Sequence, residues 1–147
     1  MVDTYALQQV GVADSTLIPP AKADGSQVGA KVSAITASKS GAQALAAGDR
    51  MYLGKLRAGE RIKEILLTTD TSLATTTVSI GTTALPSKYV AAKTLTVVDT
   101  PTPIGPKAST LDDGMLTADE DLWATFAVAG IGAAVLLTFD LEITSVK

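Results

Sequence analysis

Between residues 135 and 144 the side chains sort by parity: Val135, Leu137, Phe139, Leu141 and Ile143 fall on one, Leu136, Thr138, Asp140, Glu142 and Thr144 on the other. A β-strand places residues two apart on a common face, so this segment reads as a strand with one side in a core and the other largely in water. A helix would group Val135, Phe139 and Ile143 but turn Leu137 and Leu141 away, and the Thr and Phe content also suits a sheet.

The same signature recurs in shorter form, broken by Gly, Pro, Asp and Thr. Strands are predicted at residues 30–37, 50–56, 61–69, 75–82, 95–99, 122–128 and 134–146, with an eighth possible near the N-terminus. Arg57-Ala58-Gly59-Glu60 reads as a tight turn that pairs two of these strands as a hairpin. Ala129-Gly130-Ile131-Gly132 reads as the turn of a second, final hairpin, where glycine supplies a positive φ. Residues 42–47, ended by Gly48, and residues 86–92, begun by Pro86, are predicted to make short helical turns. Residues 100–118 carry Pro101, Pro103, Gly105 and Pro106 and are expected to form a long loop, of a length often found at functional sites or interfaces. Many short, closely spaced strands imply an all-β fold, an antiparallel β-sandwich of the jelly-roll kind. Residues 1–28, with Pro19-Pro20 and Ala23-Asp24-Gly25-Ser26, suit an extended N-terminal arm, and residues 29–147 the sandwich domain. At 147 residues one core of ordinary size is expected, and no repeat of fixed period is present.

Composition removes several chemistries. The chain has no cysteine and no histidine, so disulfides, thiolate nucleophiles and a Ser-His dyad are impossible. The twelve Lys and Arg residues are scattered, and against fifteen Asp and Glu they leave a net charge of -3, which gives no footprint for a nucleic-acid backbone. Residues 124–139, the longest nearly uncharged apolar run, fall short of the roughly 20 residues a bilayer span needs and contain Gly130 and Gly132. No membrane association is expected. Met1 to Tyr5 lack the basic and apolar regions of a secretory signal, so export by that route is not expected either.

The densest carboxylate cluster, Asp112, Asp113, Asp119, Glu120 and Asp121, offers oxygen ligands of the kind calcium takes, but not at EF-hand spacing, and carboxylates ahead of a strand are more often solvated turn residues. Paired acids for glycoside hydrolysis need a cleft and aromatic platforms, and one Trp, three Tyr and two Phe leave few to spare. Ser38-Lys39-Ser40 and Ser87-Lys88 are sequence neighbours in Gly- or Pro-flanked segments and read as exposed turn residues. No catalytic residue, metal ligand or cofactor site is predicted. Trp123 stands on the opposite parity from Leu122, Ala124, Phe126 and Val128, which makes it a candidate contact residue on an outer surface.

The run from Ala47 to Ile62, with its Gly48-Asp49 approach to a strand and Ala58-Gly59-Glu60-Arg61 turn, is followed by Leu67-Thr68-Thr69-Asp70 and Thr76-Thr77-Val78-Ser79-Ile80-Gly81. Together with Pro86-Ser87-Lys88-Tyr89-Val90-Ala91-Ala92 and the stretch Leu116 to Thr125, this order resembles small virion proteins of tailed bacteriophages, over about residues 45–145. The resemblance implies a capsid decoration or cement protein, a homotrimer bound to the major capsid protein on the virion surface and made in the bacterial cytoplasm. Tyr5, Leu7, Leu17, Ile18, Pro19 and Pro20 of the arm, with Trp123, are the expected subunit or capsid contacts. A head-fibre base, a neck or tail component, and a receptor- or glycan-binding module are the competing expectations.

Overall fold

The computed structural model describes residues 31–39 and 41–145. The arm expected over residues 1–28, with Tyr5, Leu7, Leu17, Ile18, Pro19 and Pro20, lies outside the described residues.

Eight strands follow one another: β1 (Lys31–Ser38), β2 (Arg50–Leu56), β3 (Glu60–Thr69), β4 (Thr77–Gly81), β5 (Val90–Thr94), β6 (Thr102–Gly105), β7 (Glu120–Ala127) and β8 (Leu137–Ser145), with one short helix, α1 (Ala108–Leu111), between β6 and β7. They form two antiparallel four-stranded sheets, ordered β1-β8-β3-β6 and β2-β7-β4-β5. This interleaved order is that of a jelly roll, the fold class expected from the alternation.

Alternation built the core. In β8, Leu137, Phe139, Leu141 and Ile143 are buried; in β7, Leu122, Ala124 and Phe126; in β4, Val78 and Ile80. Phe126 of one sheet meets Phe139 of the other with ring centroids 6.5 Å apart and planes tilted by 58°, so the two layers are joined by an aromatic contact. Register shifts keep the faces in phase where the count would fail. They fall between Ile62 and Glu64 and between Ile65 and Leu66 of β3, between Tyr52 and Gly54 of β2, and between Val78 and Ile80 of β4. Gly54 sits at φ +153°, and a Cβ there would come within 3.1 Å of Ile35 in β1, where the edges of the two sheets approach.

Neither expected hairpin exists. β2 and β3 belong to different sheets, as do β7 and β8, and among the described strands only β4 and β5 are both consecutive and paired. The turn at residues 57–59 is tight, with Glu60 N–H on Arg57 O at 3.0 Å and Glu60 Oε2 accepting from Arg57 N–H at 2.8 Å, but it carries the chain around the corner between sheets. Residues 42–47 are not helical: turns flank an isolated bridge in which Leu45 and Ile131 exchange two backbone hydrogen bonds of 3.0 and 2.7 Å. Residues 86–92 are not helical either, because Val90 is wanted in the core and opens β5 against β4. Leu95 is buried, yet residues 95–99 form no strand; Leu95 O and Asp99 N–H bond instead to Leu73 N–H and Thr69 O of neighbouring segments. The expected long loop holds both β6 and α1. β6 is an edge strand, which is where Pro103 can stand without breaking a ladder, and Ile104 beside it is buried.

Candidate interaction surface

The outer face of the β2-β7-β4-β5 sheet is where the sequence placed Trp123, and it carries more than that residue. Cross-strand register sets Trp123 between Tyr52 of β2 and Gly81 of β4. Tyr52 meets the indole edge-on, with centroids 5.1 Å apart, and the Arg50 guanidinium lies 5.0 Å from the Trp123 ring centroid. Arg50 Nη1 continues across the sheet to Thr83 Oγ1 at 3.5 Å, and the Tyr52 hydroxyl donates to Asp121 Oδ1 at 3.2 Å. Desolvation first, then the hydrogen bond and charge of Asp121, push the Tyr52 phenol above its ordinary pKa. Tyr52 remains 47% exposed. Trp, Tyr and Arg on one solvent-facing patch are the residue types that anchor protein interfaces. Tyr52 and Arg50 were not singled out in the sequence, although both stand on the opposite parity from Met51 and Leu53, the same signal that marked Trp123.

The acidic run is dispersed among unrelated partners. Asp119 Oδ1 accepts the Ala58 N–H at 3.0 Å and stands 4.0 Å from Lys55, so it steadies the β2–β3 corner. Glu120 takes Lys88 Nζ at 2.5 Å and the Tyr89 hydroxyl at 2.7 Å, tying the start of β7 to the β4–β5 loop. Burial, and after it the bond to Glu120, drive the Tyr89 pKa strongly upward. Asp121 serves Tyr52. Among the described residues no three such groups converge on a point where a metal could sit.

Lys39 and Lys88 are not the exposed turn residues the sequence implied. Lys39 is 4% exposed, and its ammonium donates to Gln43 O at 2.7 Å and Ala133 O at 2.9 Å, so it fastens two loops. Ser38 Oγ is instead 3.0 Å from Thr138 Oγ1 across the β1–β8 pair. On the outer face of the other sheet a shallow depression of about 350 Å³ is lined by Val32, Ala34, Leu66, Glu64, Asp140 and Glu142. Two of its three carboxylates are engaged: Lys63 pairs with Glu142 at 2.7 Å, and the Thr36 hydroxyl donates to Asp140 at 2.6 Å.

No family model matches the sequence, and no curated protein is significantly similar to it. Solved structures are similar in fold. A chain of the cyanophage Pam1 capsid asymmetric unit matches over 99% of this chain and 99% of its own length, with a TM-score of 0.59 and 16% identity. A chain of the Ralstonia phage GP4 capsid matches over 80% of this chain and 85% of its own, with a TM-score of 0.58 and 16% identity. At that identity the likeness is one of fold, and the chain is an eight-stranded jelly roll shared with chains found in two phage capsids.

Proposed function

We propose that the chain is a structural protein of a tailed-phage virion, a decoration or cement protein seated on the major capsid protein lattice. The observation that carries this reading is the end-to-end match in fold to a chain of the Pam1 capsid asymmetric unit, over 99% of both chains. The side-chain chemistry is compatible with it: Asp119, Glu120, Lys88, Lys39, Lys63 and Glu142 are occupied in corners, loop ties and cross-strand pairs.

The mechanism is thermodynamic. A protein that binds only the expanded, intact shell stabilises that state by mass action. The chain acts as a homotrimer, in which weak contacts are multiplied by symmetry and avidity. Trp123, with Tyr52 and Arg50 beside it, supplies a subunit contact, and the arm residues Tyr5, Leu7, Leu17, Ile18, Pro19 and Pro20 reach across to neighbours. The test is the rupture temperature of shells with and without the protein: cement raises it, and equal temperatures overturn the role.

A further inference from the structure

The two ends of the sandwich differ in character. Alternate connections lie at opposite ends of a jelly roll, so the β1–β2, β3–β4, β5–β6 and β7–β8 loops gather at one end. They are stitched together there: Leu45 to Ile131, Leu73 N–H to Leu95 O at 2.9 Å, Asp99 N–H to Thr69 O at 2.8 Å, and Leu136 N–H to Asp70 Oδ1 at 2.9 Å. This end displays Val97, Val98, Leu136 and Val128 to solvent, the last 73% exposed. All of the described non-glycine residues at positive φ are in its loops, namely Ala74 at 51°, Asp99 at 52° and Val128 at 71°. The opposite end, at residues 57–59, 82–89 and 106–119, also exposes Leu85 and Leu111, but sets them among Arg57, Lys88, Lys107, Asp112, Asp113 and Asp119.

Val128 is the most telling of these. It is the centre of a γ-turn closed by Ala129 N–H on Ala127 O at 2.9 Å. A β-branched residue is the wrong choice for that backbone, where Gly or Asn costs least. Its side chain is not repaid by core packing, because it points into water. Strained residues cluster where a protein binds or acts, so an exposed one is a candidate contact.

We infer that this loop end, with Val128 and Leu136 as its anchors, is the surface that docks onto another folded protein, which in the reading proposed above is the capsid shell. The charge pattern selects the occupant. The described charged residues of these loops are Asp49, Asp70, Asp99 and the buried Lys39. With the exposed Lys93 at the adjoining end of β5, the end is apolar and still net negative, and so is repelled by nucleic acid and by anionic membranes. A second copy meeting it end to end would set the same aspartates against each other, since a two-fold contact joins identical patches. A protein surface with apolar hollows, uncharged or basic at their rims, fits.

The inference rests on the shell reading, and one experiment separates the two. Shells lacking the protein are titrated with the wild-type chain, Val128→Asn, Val128→Asn with Leu136→Lys, and Leu85→Lys, an exposed position at the opposite end. Asn suits the backbone at residue 128, so Val128→Asn melts at or above the wild-type temperature, which keeps a loss of binding from being a loss of fold. The expected result is roughly tenfold weaker binding for Val128→Asn and more for the double variant, with Leu85→Lys unchanged. Wild-type affinity in the double variant, or a loss confined to Leu85→Lys, overturns the docking end while the shell reading stands. A wild-type chain that does not bind shells overturns both.

Discussion

Replacing Glu120 by Gln tests whether the link between β7 and the β4–β5 loop is electrostatic. The carboxylate accepts from Lys88 at 2.5 Å and from the Tyr89 hydroxyl at 2.7 Å, and the Lys88 and Glu120 side chains are only 24% and 23% exposed. The amide keeps the shape and one acceptor but leaves a partly buried ammonium without its counter-ion. Hydrogen bonds to charged groups contribute about 1.5–3 kcal/mol, and partial exposure argues for the lower half, so the expected loss is about 2 kcal/mol. With an unfolding entropy of about 2.1 cal/mol/K per residue, 147 residues give about 0.3 kcal/mol/K and a Tm lower by about 7 °C. Lys88→Met in the Glu120→Gln background removes the stranded charge, so the double variant costs clearly less than the two singles added together. Calorimetry at neutral pH on the four proteins measures the cycle. A Tm for Glu120→Gln within about 2 °C of wild type, or strict additivity, refutes the argument.

Further expectations follow from the same geometry. Gly81→Ala places a Cβ 2.0 Å from Leu85 O and 2.7 Å from Lys88 N, both backbone atoms, so urea unfolding should show a loss of at least about 2 kcal/mol. Phe126→Ala and Phe139→Ala each remove a fully buried ring and should cost about 3–5 kcal/mol, with a coupling of about 0.5–1.5 kcal/mol from the ring pair; a coupling of zero would remove the contact from the account of how the sheets are joined. The Tyr89 pKa is raised in the folded state, so the neutral phenol is the stabilised form. Its contribution is complete below the ordinary tyrosine value of about 10 and is lost as pH climbs above it. Tm should therefore fall more steeply above pH 10 in wild type than in Tyr89→Phe.

What the sequence told was which side of each strand faces inward, and that was enough for the fold class. Leu137, Phe139, Leu141 and Ile143 are buried as their parity implied, and Trp123 is on the outer face for the same reason. Partners were not legible. Alternation fixes a face but not a neighbour, and the short turn at residues 57–59 is as compatible with a corner between sheets as with a hairpin. β5 was missed because the apolar signal of Val97 and Val98 outweighs that of residues 90–94, yet it is Val90 that is buried and Val97 and Val98 that stay exposed. β6 was hidden by prolines that an edge strand tolerates. At the surface, the single tryptophan drew notice, while Tyr52 and Arg50 became visible only when the register set them beside it. Val128 was read as a core residue of a longer strand. Its positive φ, which ends β7 and turns the side chain to solvent, has no counterpart in the sequence pattern.

The most direct test of the central claim is the copy number of this chain relative to the major capsid protein in purified particles, by quantitative mass spectrometry. Decoration of the lattice predicts a ratio near one. A handful of copies per particle would place the chain at a neck, tail or fibre, and its absence from particles would contradict a virion role altogether.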